Sequence, residues 1–260
     1  MKKSQALLLG AGILSASFLM AACGSTQSNA ADKTYSYVFA SNPDTLDYIT
    51  STRGSTSSIT TNLIDGLLEN DKYGNLVPSM AESWTVSKDG LTYTYKIRQG
   101  AKWYTSEGEE YAEVTAHDFV TGLKYAADKK AENLYLVQDS IKGLADYVEG
   151  ETSDFETVGV KAVDDYTLQY TLNKPESYWN SKTTGGILSP VNEAFLKSKG
   201  DDFGSVTPSS ILSNGPYLFK SFSSKSLIEF DKNPNYWDKD NVKIEKVKLS
   251  FFDGSDQDSI

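Results

Sequence analysis

From Leu91 the chain alternates strictly for eight residues. Leu91, Tyr93, Tyr95 and Ile97 fall on one face of an extended backbone, and Thr92, Thr94, Lys96 and Arg98 on the other. A period of two marks a half-buried strand, because successive side chains of a strand point to opposite sides. Asp89-Gly90 precedes it. Gly accepts positive φ and Asp hydrogen-bonds its own backbone, so the pattern predicts a hairpin in which Trp84 to Ser87 pairs back on Leu91 to Arg98. Trp84 and the Leu91, Tyr93, Tyr95, Ile97 face are assigned to the core. Gly159 to Leu172 repeats the design, with Asp164-Asp165 at the turn and Leu168, Tyr170 and Leu172 alternating after it. Tyr35 to Ser41 reads as a strand stopped by Asn42-Pro43-Asp44. Asn214-Gly215-Pro216-Tyr217 launches another through Phe222, Ser226 to Asp231 pairs back on it, and Lys243 to Phe252 is the last.

Elsewhere the spacing is helical. Ile59, Leu63, Ile64 and Leu67 follow Thr50 to Ser58, a loop crowded with hydroxyls around Arg53 and Gly54 that suits a helix start. Thr115-Ala-His-Asp118 matches a capping box, with Phe119, Val120, Leu123, Ala126 and Ala127 on one face behind it. Leu134, Val137, Ile141 and Leu144 continue as a second helical stripe, and Pro190 and Gly200 bracket a helix over Val191 to Lys199.

Composition adds that this is a folded chain: 39% hydrophobic, 23% charged, with 16 Tyr and 11 Phe. Its 260 residues suffice for one large domain or two smaller ones. The N-terminus carries a separate message. Met1-Lys2-Lys3 is basic, Ala6 to Ala22 is uncharged and apolar but shorter than the ~20 residues of a membrane span, and Ala21-Ala22 stands before the only cysteine, Cys23. Leu19-Met20-Ala21-Ala22-Cys23 resembles the bacterial lipobox, with Met20 where Leu is usual. Residues 1–22 are therefore expected to be a lipoprotein signal peptide, Cys23 the lipid attachment site and 23–31 a small, polar tether. Losing Lys2 and Lys3 leaves 23 basic against 35 acidic residues, a net charge of −12, which argues against a nucleic-acid partner.

Ala81-Glu-Ser-Trp84, the Asp89-Gly90 turn, Ile97-Arg98, Gly100-Ala-Lys-Trp103 and Val114-Thr-Ala-His-Asp-Phe-Val120 together resemble the signature of the extracytoplasmic peptide-binding proteins of ABC importers, solute-binding family 5, and in particular streptococcal oligopeptide-binding lipoproteins. The likeness runs from Thr34 to Phe252. It implies an α/β fold of the periplasmic-binding-protein type II (cluster C): 32–65 and 187–260 as two segments of a first lobe, 66–186 as an inserted subdomain, and a second lobe missing, as in an N-terminal fragment. It implies oligopeptides as ligands, held by main-chain hydrogen bonds, with ABC permease subunits as partners. It also implies anchorage on the outer face of the cytoplasmic membrane of a Gram-positive bacterium, a monomer, and no cofactor, metal or catalytic residue. Carried over residue by residue, the peptide-contacting candidates are Thr52, Arg53, Gly54, Ser55, Asn214 and Gly215. For Asn214 and Gly215 turn chemistry is an equal explanation, and for Asn233-Pro-Asn-Tyr-Trp237, another family-like motif, it is the main one.

Two other functions have their own signals. A carbohydrate hydrolase would draw its carboxylate pair from Glu107, Glu109 and Glu110, but Ser-Glu-Gly-Glu-Glu reads as a solvated loop. One His and one Cys disfavour triads and zinc sites. His117, in the first turn of a capped helix, is expected to be a surface or interlobe hydrogen-bonding group. Asp253, Asp256 and Asp258 lack the spacing and the closing Glu of a calcium loop. A surface adhesin would share the anchor and tether, and only its ligand separates it from a receptor.

Overall fold

The computed structural model describes residues 33–39 and 41–252. The signal segment, Cys23, the tether and Asp253 to Ile260 lie outside the described residues. The described residues begin with β1 (Thr34–Phe39), α1 (Gly54–Thr60), β2 (Leu68–Asn70) and β3 (Leu76–Pro78). Then come β4 (Ala81–Val86), β5 (Thr92–Ile97), β6 (Lys102–Tyr104), β7 (Glu110–Glu113) and α2 (Ala116–Asp128). Next are α3 (Leu144–Glu149), β8 (Val160–Asp164), β9 (Thr167–Thr171), α4 (Trp179–Lys182) and α5 (Glu193–Lys199). The last strands are β10 (Tyr217–Ser223), β11 (Leu227–Lys232) and β12 (Lys246–Phe251).

Two four-stranded sheets dominate. One has the order β1-β12-β11-β10, so chain from both ends of the described region meets in it. β1 runs parallel to β12, with Tyr35 opposite Val247 and Phe39 opposite Phe251, and the other pairs are antiparallel. The second, β4-β5-β9-β8, is antiparallel throughout and drawn entirely from residues 81–171.

The hairpin read from the alternation is β4-β5. Gly90 takes φ +72° and donates to the Ser87 carbonyl at 2.9 Å, and Asp89 Oδ1 accepts from Leu91 N–H at 3.1 Å. Trp84 stands opposite Tyr95 and Val86 opposite Tyr93. Tyr93, Tyr95 and Ile97 are buried, but Trp84 and Leu91 are only half-buried. β4 is an edge strand with a neighbour on one side only, and Leu91 sits where the turn ends, so neither reaches the core centre. That centre is aromatic: Tyr95 meets Tyr170 edge-on at 6.2 Å between ring centroids, and Trp179 lies 5.3 Å from Tyr170. α2 packs over β8 and β9.

The capped helix is α2, where Asp118 Oδ2 accepts the Thr115 N–H at 2.9 Å and the Trp103 Nε1–H at 3.0 Å. Its face is buried as read, except for the half-buried Val120. His117 is exposed, 3.4 Å from Asp165. The other helical stripes are buried but are not single helices. α1 ends at Thr60, before Leu63, Ile64 and Leu67. The Ser58, Thr60 and Thr61 hydroxyls donate to the carbonyls four residues back at 2.8–3.0 Å, and Asn62 Nδ2 to Ser58, which competes with helix propagation. The stripe of Leu134, Val137, Ile141 and Leu144 divides into a 3₁₀ turn over Glu132–Leu136, a bridge from Ile141 to Leu172, and α3, with Gly143 at φ +68° separating the bridge from α3. α5 starts at Glu193 rather than Val191: Asn192 caps it through the Phe195 N–H at 3.0 Å, while the Pro190 carbonyl and Val191 N–H bond to Tyr48 and to the Asp118 carbonyl.

Candidate functional site

The hydroxyl-rich loop is built on a buried carboxylate. Leu46 and Ile49 are fully buried and clamp the start of the loop, and between them Asp47 turns inward. Its Oδ1 accepts the N–H groups of Ile49 and Thr50, both at 3.1 Å, and its Oδ2 accepts the Thr50 hydroxyl at 2.6 Å and the Tyr125 hydroxyl at 2.9 Å. Ser51 Oγ then accepts the Arg53 N–H at 3.2 Å and donates to Thr56 Oγ1 at 3.0 Å. Past Ser51 the loop turns toward solvent. Thr52, Arg53 and Gly54 are exposed and Ser55 is half-buried. Arg53 reaches Asp44 at 2.8 Å, Thr52 Oγ1 lies 3.4 Å from Glu132 Oε2, and a Cβ at Gly54 would meet nothing within 4 Å. Asn133 Nδ2 donates to the Ile49 carbonyl at 3.0 Å, which brings the 3₁₀ turn over Glu132–Leu136 against the loop, and Tyr135 in that turn is 74% exposed. Tyr135 carried no sequence signal beyond being an aromatic between Leu134 and Leu136 in an apolar run.

Asn214 and Gly215 lie apart from this surface in bonding. Asn214 is 2% exposed, and its side chain accepts from the Asp65 N–H at 2.9 Å and donates to the Asp65 carbonyl at 3.1 Å. A Cβ at Gly215 would sit 2.8 Å from the Leu63 carbonyl, which receives the Gly215 N–H at 2.8 Å. Both residues are engaged in turn and packing contacts here. The same lock engages Asn233-Pro-Asn-Tyr-Trp237: Asn233 Nδ2 donates to the Gly215 carbonyl at 3.2 Å, and Asp65 Oδ2 accepts the Tyr236 hydroxyl at 2.7 Å and the Trp237 Nε1–H at 3.1 Å. Arg98, at the end of β5, stacks on Trp237 at 3.7 Å. Asp65 was missed in the sequence, although an acid inside Leu63-Ile64-Asp65-Gly66-Leu67 signals a buried, hydrogen-bonded carboxylate.

Burial pushes the Asp65 carboxyl up to about 6, against the lowering effect of Tyr236, Trp237, Ser79 and Arg98. An unfolded Asp ionises near pH ~3.9, so the folded state holds this proton longer, and the stability it contributes is complete below about pH 4 and lost as pH rises through 6. Asp65→Asn keeps an acceptor for Tyr236 and Trp237 but carries no charge. Its unfolding free energy relative to wild type is expected to rise by about 2–3 kcal/mol between pH ~4 and ~7. Urea midpoints at the two pH values check this, and parallel profiles would refute it.

The acidic loop is paired at the surface: Glu107 with Lys220 at 3.1 Å and Glu110 with Lys102 at 2.8 Å. Among the described residues no group of three His, Cys, Asp or Glu side chains is placed to hold a metal.

Residues 75–259 match the model of the bacterial extracellular solute-binding proteins, family 5 middle region. The chain belongs to this family. This family 5 chain is 65% identical over 258 residues to the oligopeptide-binding protein AliA of Streptococcus pneumoniae, covering 98% of the chain and 39% of AliA. It is 58% identical over 263 residues to AmiA of the same species, covering 100% of the chain and 40% of AmiA. It thus spans about two fifths of the length of these relatives. Listeria monocytogenes OppA bound to peptide superposes with a TM-score of 0.79 at 31% identity, over 85% of this chain and 43% of that one. The substrate-binding domain of a Bacillus anthracis oligopeptide ABC transporter gives 0.78 at 33% identity, over 85% and 42%. The family 5 chain therefore has the mixed α/β fold of these substrate-binding proteins.

Proposed function

We propose that this chain forms the first lobe, with its inserted subdomain over 66–186, of an oligopeptide-binding lipoprotein that delivers extracellular peptides to an ABC permease and catalyses no reaction. The observation that carries this reading is the 65% identity to an oligopeptide-binding protein along 98% of the chain. The solvent-facing loop at Thr52, Arg53, Gly54 and Ser55, with the 3₁₀ turn that carries Tyr135 packed against it, supports it. Hydroxyls and backbone amides there suit hydrogen bonding to a peptide main chain, which gives affinity indifferent to side-chain sequence, and an aromatic face adds contact area. The protein acts as a monomer, without metal or cofactor, held on the outer face of the membrane through Cys23.

The test is the ligand itself. A chain of the relatives' length, purified natively and extracted with acid, should release peptides of mixed sequence in mass spectrometry. A glycan or another polymer in their place would favour the adhesin. Cys23→Ala should shed the protein into the medium, and retention in the membrane fraction would remove the lipid anchor from the proposal.

A further inference from the structure

The exposed loop is only as defined as what holds it, and two stretches of its surroundings converge on one side chain. We infer that Asp47 is the positioning residue of the proposed peptide-binding rim, fixing the backbone ahead of Thr52–Ser55 and tying it to α2, whose continuation carries Tyr135. This rests on the proposed role of that rim in peptide binding.

Asp47 is itself immobilised first. Its N–H donates to Thr45 Oγ1 at 3.0 Å, Thr45 Oγ1 donates to the Gly204 carbonyl at 3.0 Å, and that carbonyl also receives the Leu46 N–H at 2.6 Å. Gly204 comes so close that a Cβ there would lie 2.5 Å from the Asp47 nitrogen, at a φ of +72° that side chains disfavour. The carboxylate of Asp47, a residue 7% exposed, then accepts four bonds. Two are accepted from the backbone amides of Ile49 and Thr50 and one from the Thr50 hydroxyl, which together set the direction in which the chain leaves for Ser51. The fourth comes from Tyr125 on α2, 78 residues away in sequence. Burial, and after it the Asp47 charge, push the Tyr125 hydroxyl's ionisation up, so it stays a donor. Beyond α2 the same chain supplies Asn133, which donates to the Ile49 carbonyl, and Glu132, which meets Thr52. One carboxylate is thus the common reference for both parts of the rim. All its partners are amides and hydroxyls, so the bonds are charge-assisted and directional. A ligand held by main-chain bonds is sensitive to displacements of a fraction of an ångström in such a loop.

Two measurements test this. In the 260-residue chain, amide hydrogen exchange in Asp47→Ala should accelerate tenfold or more across residues 49–55, while β5 and β9 keep their protection. In a chain of the relatives' length, Asp47→Ala should weaken binding of a mixed peptide library tenfold or more, chiefly through faster dissociation. Tyr125→Phe should weaken it about threefold, and Asp47→Asn, which keeps an oxygen for the two amides, should recover part of the loss. If Asp47→Ala does not fold, Tyr125→Phe and Thr50→Val carry both measurements. A lowered melting temperature with unchanged peptide affinity and unchanged exchange at 52–55 would make Asp47 merely structural and overturn the inference. A wild type that binds no peptide would remove the peptide-binding role of the rim, while accelerated exchange confined to 49–55 would still support Asp47 as what fixes the loop.

Discussion

Tyr95→Ala is expected to lower the unfolding free energy by about 3–5 kcal/mol, the range for deleting a fully buried ring whose site cannot collapse. Tyr95 is 0% exposed at the middle of β5, between Trp84 on β4 and Leu168 on β9. Three losses coincide. The ring's burial disappears, the edge-on contact with Tyr170 goes with it, and Asn180 Oδ1 loses the hydroxyl that reaches it at 2.6 Å. The surrounding Tyr170 and Trp179 are held by the sheet and by α4 and cannot fill the space. Tyr95→Phe separates the terms: it removes only the hydroxyl and should cost about 1 kcal/mol. Urea titration of both variants measures the difference, and a loss below about 1 kcal/mol for the alanine would put the ring at the surface and reverse the assigned register.

A comparable free energy is expected to separate the chain from one of the relatives' length in peptide binding. Association has to overcome several kcal/mol of lost motional freedom before any affinity appears. On the proposed reading the rim at Thr52–Ser55 is one wall of the binding site, and the chain spans about two fifths of the length of relatives that are oligopeptide-binding proteins. Residues 32–260 alone are therefore expected to bind a mixed peptide library no more tightly than about millimolar, near −4 kcal/mol. A chain of the relatives' length should bind at micromolar concentrations or below, a gain of at least ~4 kcal/mol. Calorimetry on both decides it. Micromolar binding by the short chain would place the recognition groups in this part, with Arg53 and Tyr135 the first to truncate.

The amino-acid sequence by itself determined the elements whose signal is local. The β4-β5 hairpin follows from strict alternation beside Asp89-Gly90, and α2 from Thr115 and Asp118 three residues apart, because turn and capping chemistry act within a few residues of the chain. Burial was legible too: Leu63, Ile64, Leu134 and Val137 are all inside. The conformation carrying them was not. Helical spacing records only which side chains must face inward, while hydroxyl bonds to carbonyls end α1 and the bend at Gly143 divides the second stripe. Asn214 shows the same limit at the site, since Asn-Gly-Pro reads equally as a turn and as a contact. It took the fold to bring Asp65 from 149 residues away and occupy both ends of its amide. Only the tertiary structure decided that Asp47 and Asp65, two acids within apolar stretches, are where distant segments are tied together: a buried carboxylate must find donors, and in this fold those donors are Tyr125, Tyr236 and Trp237.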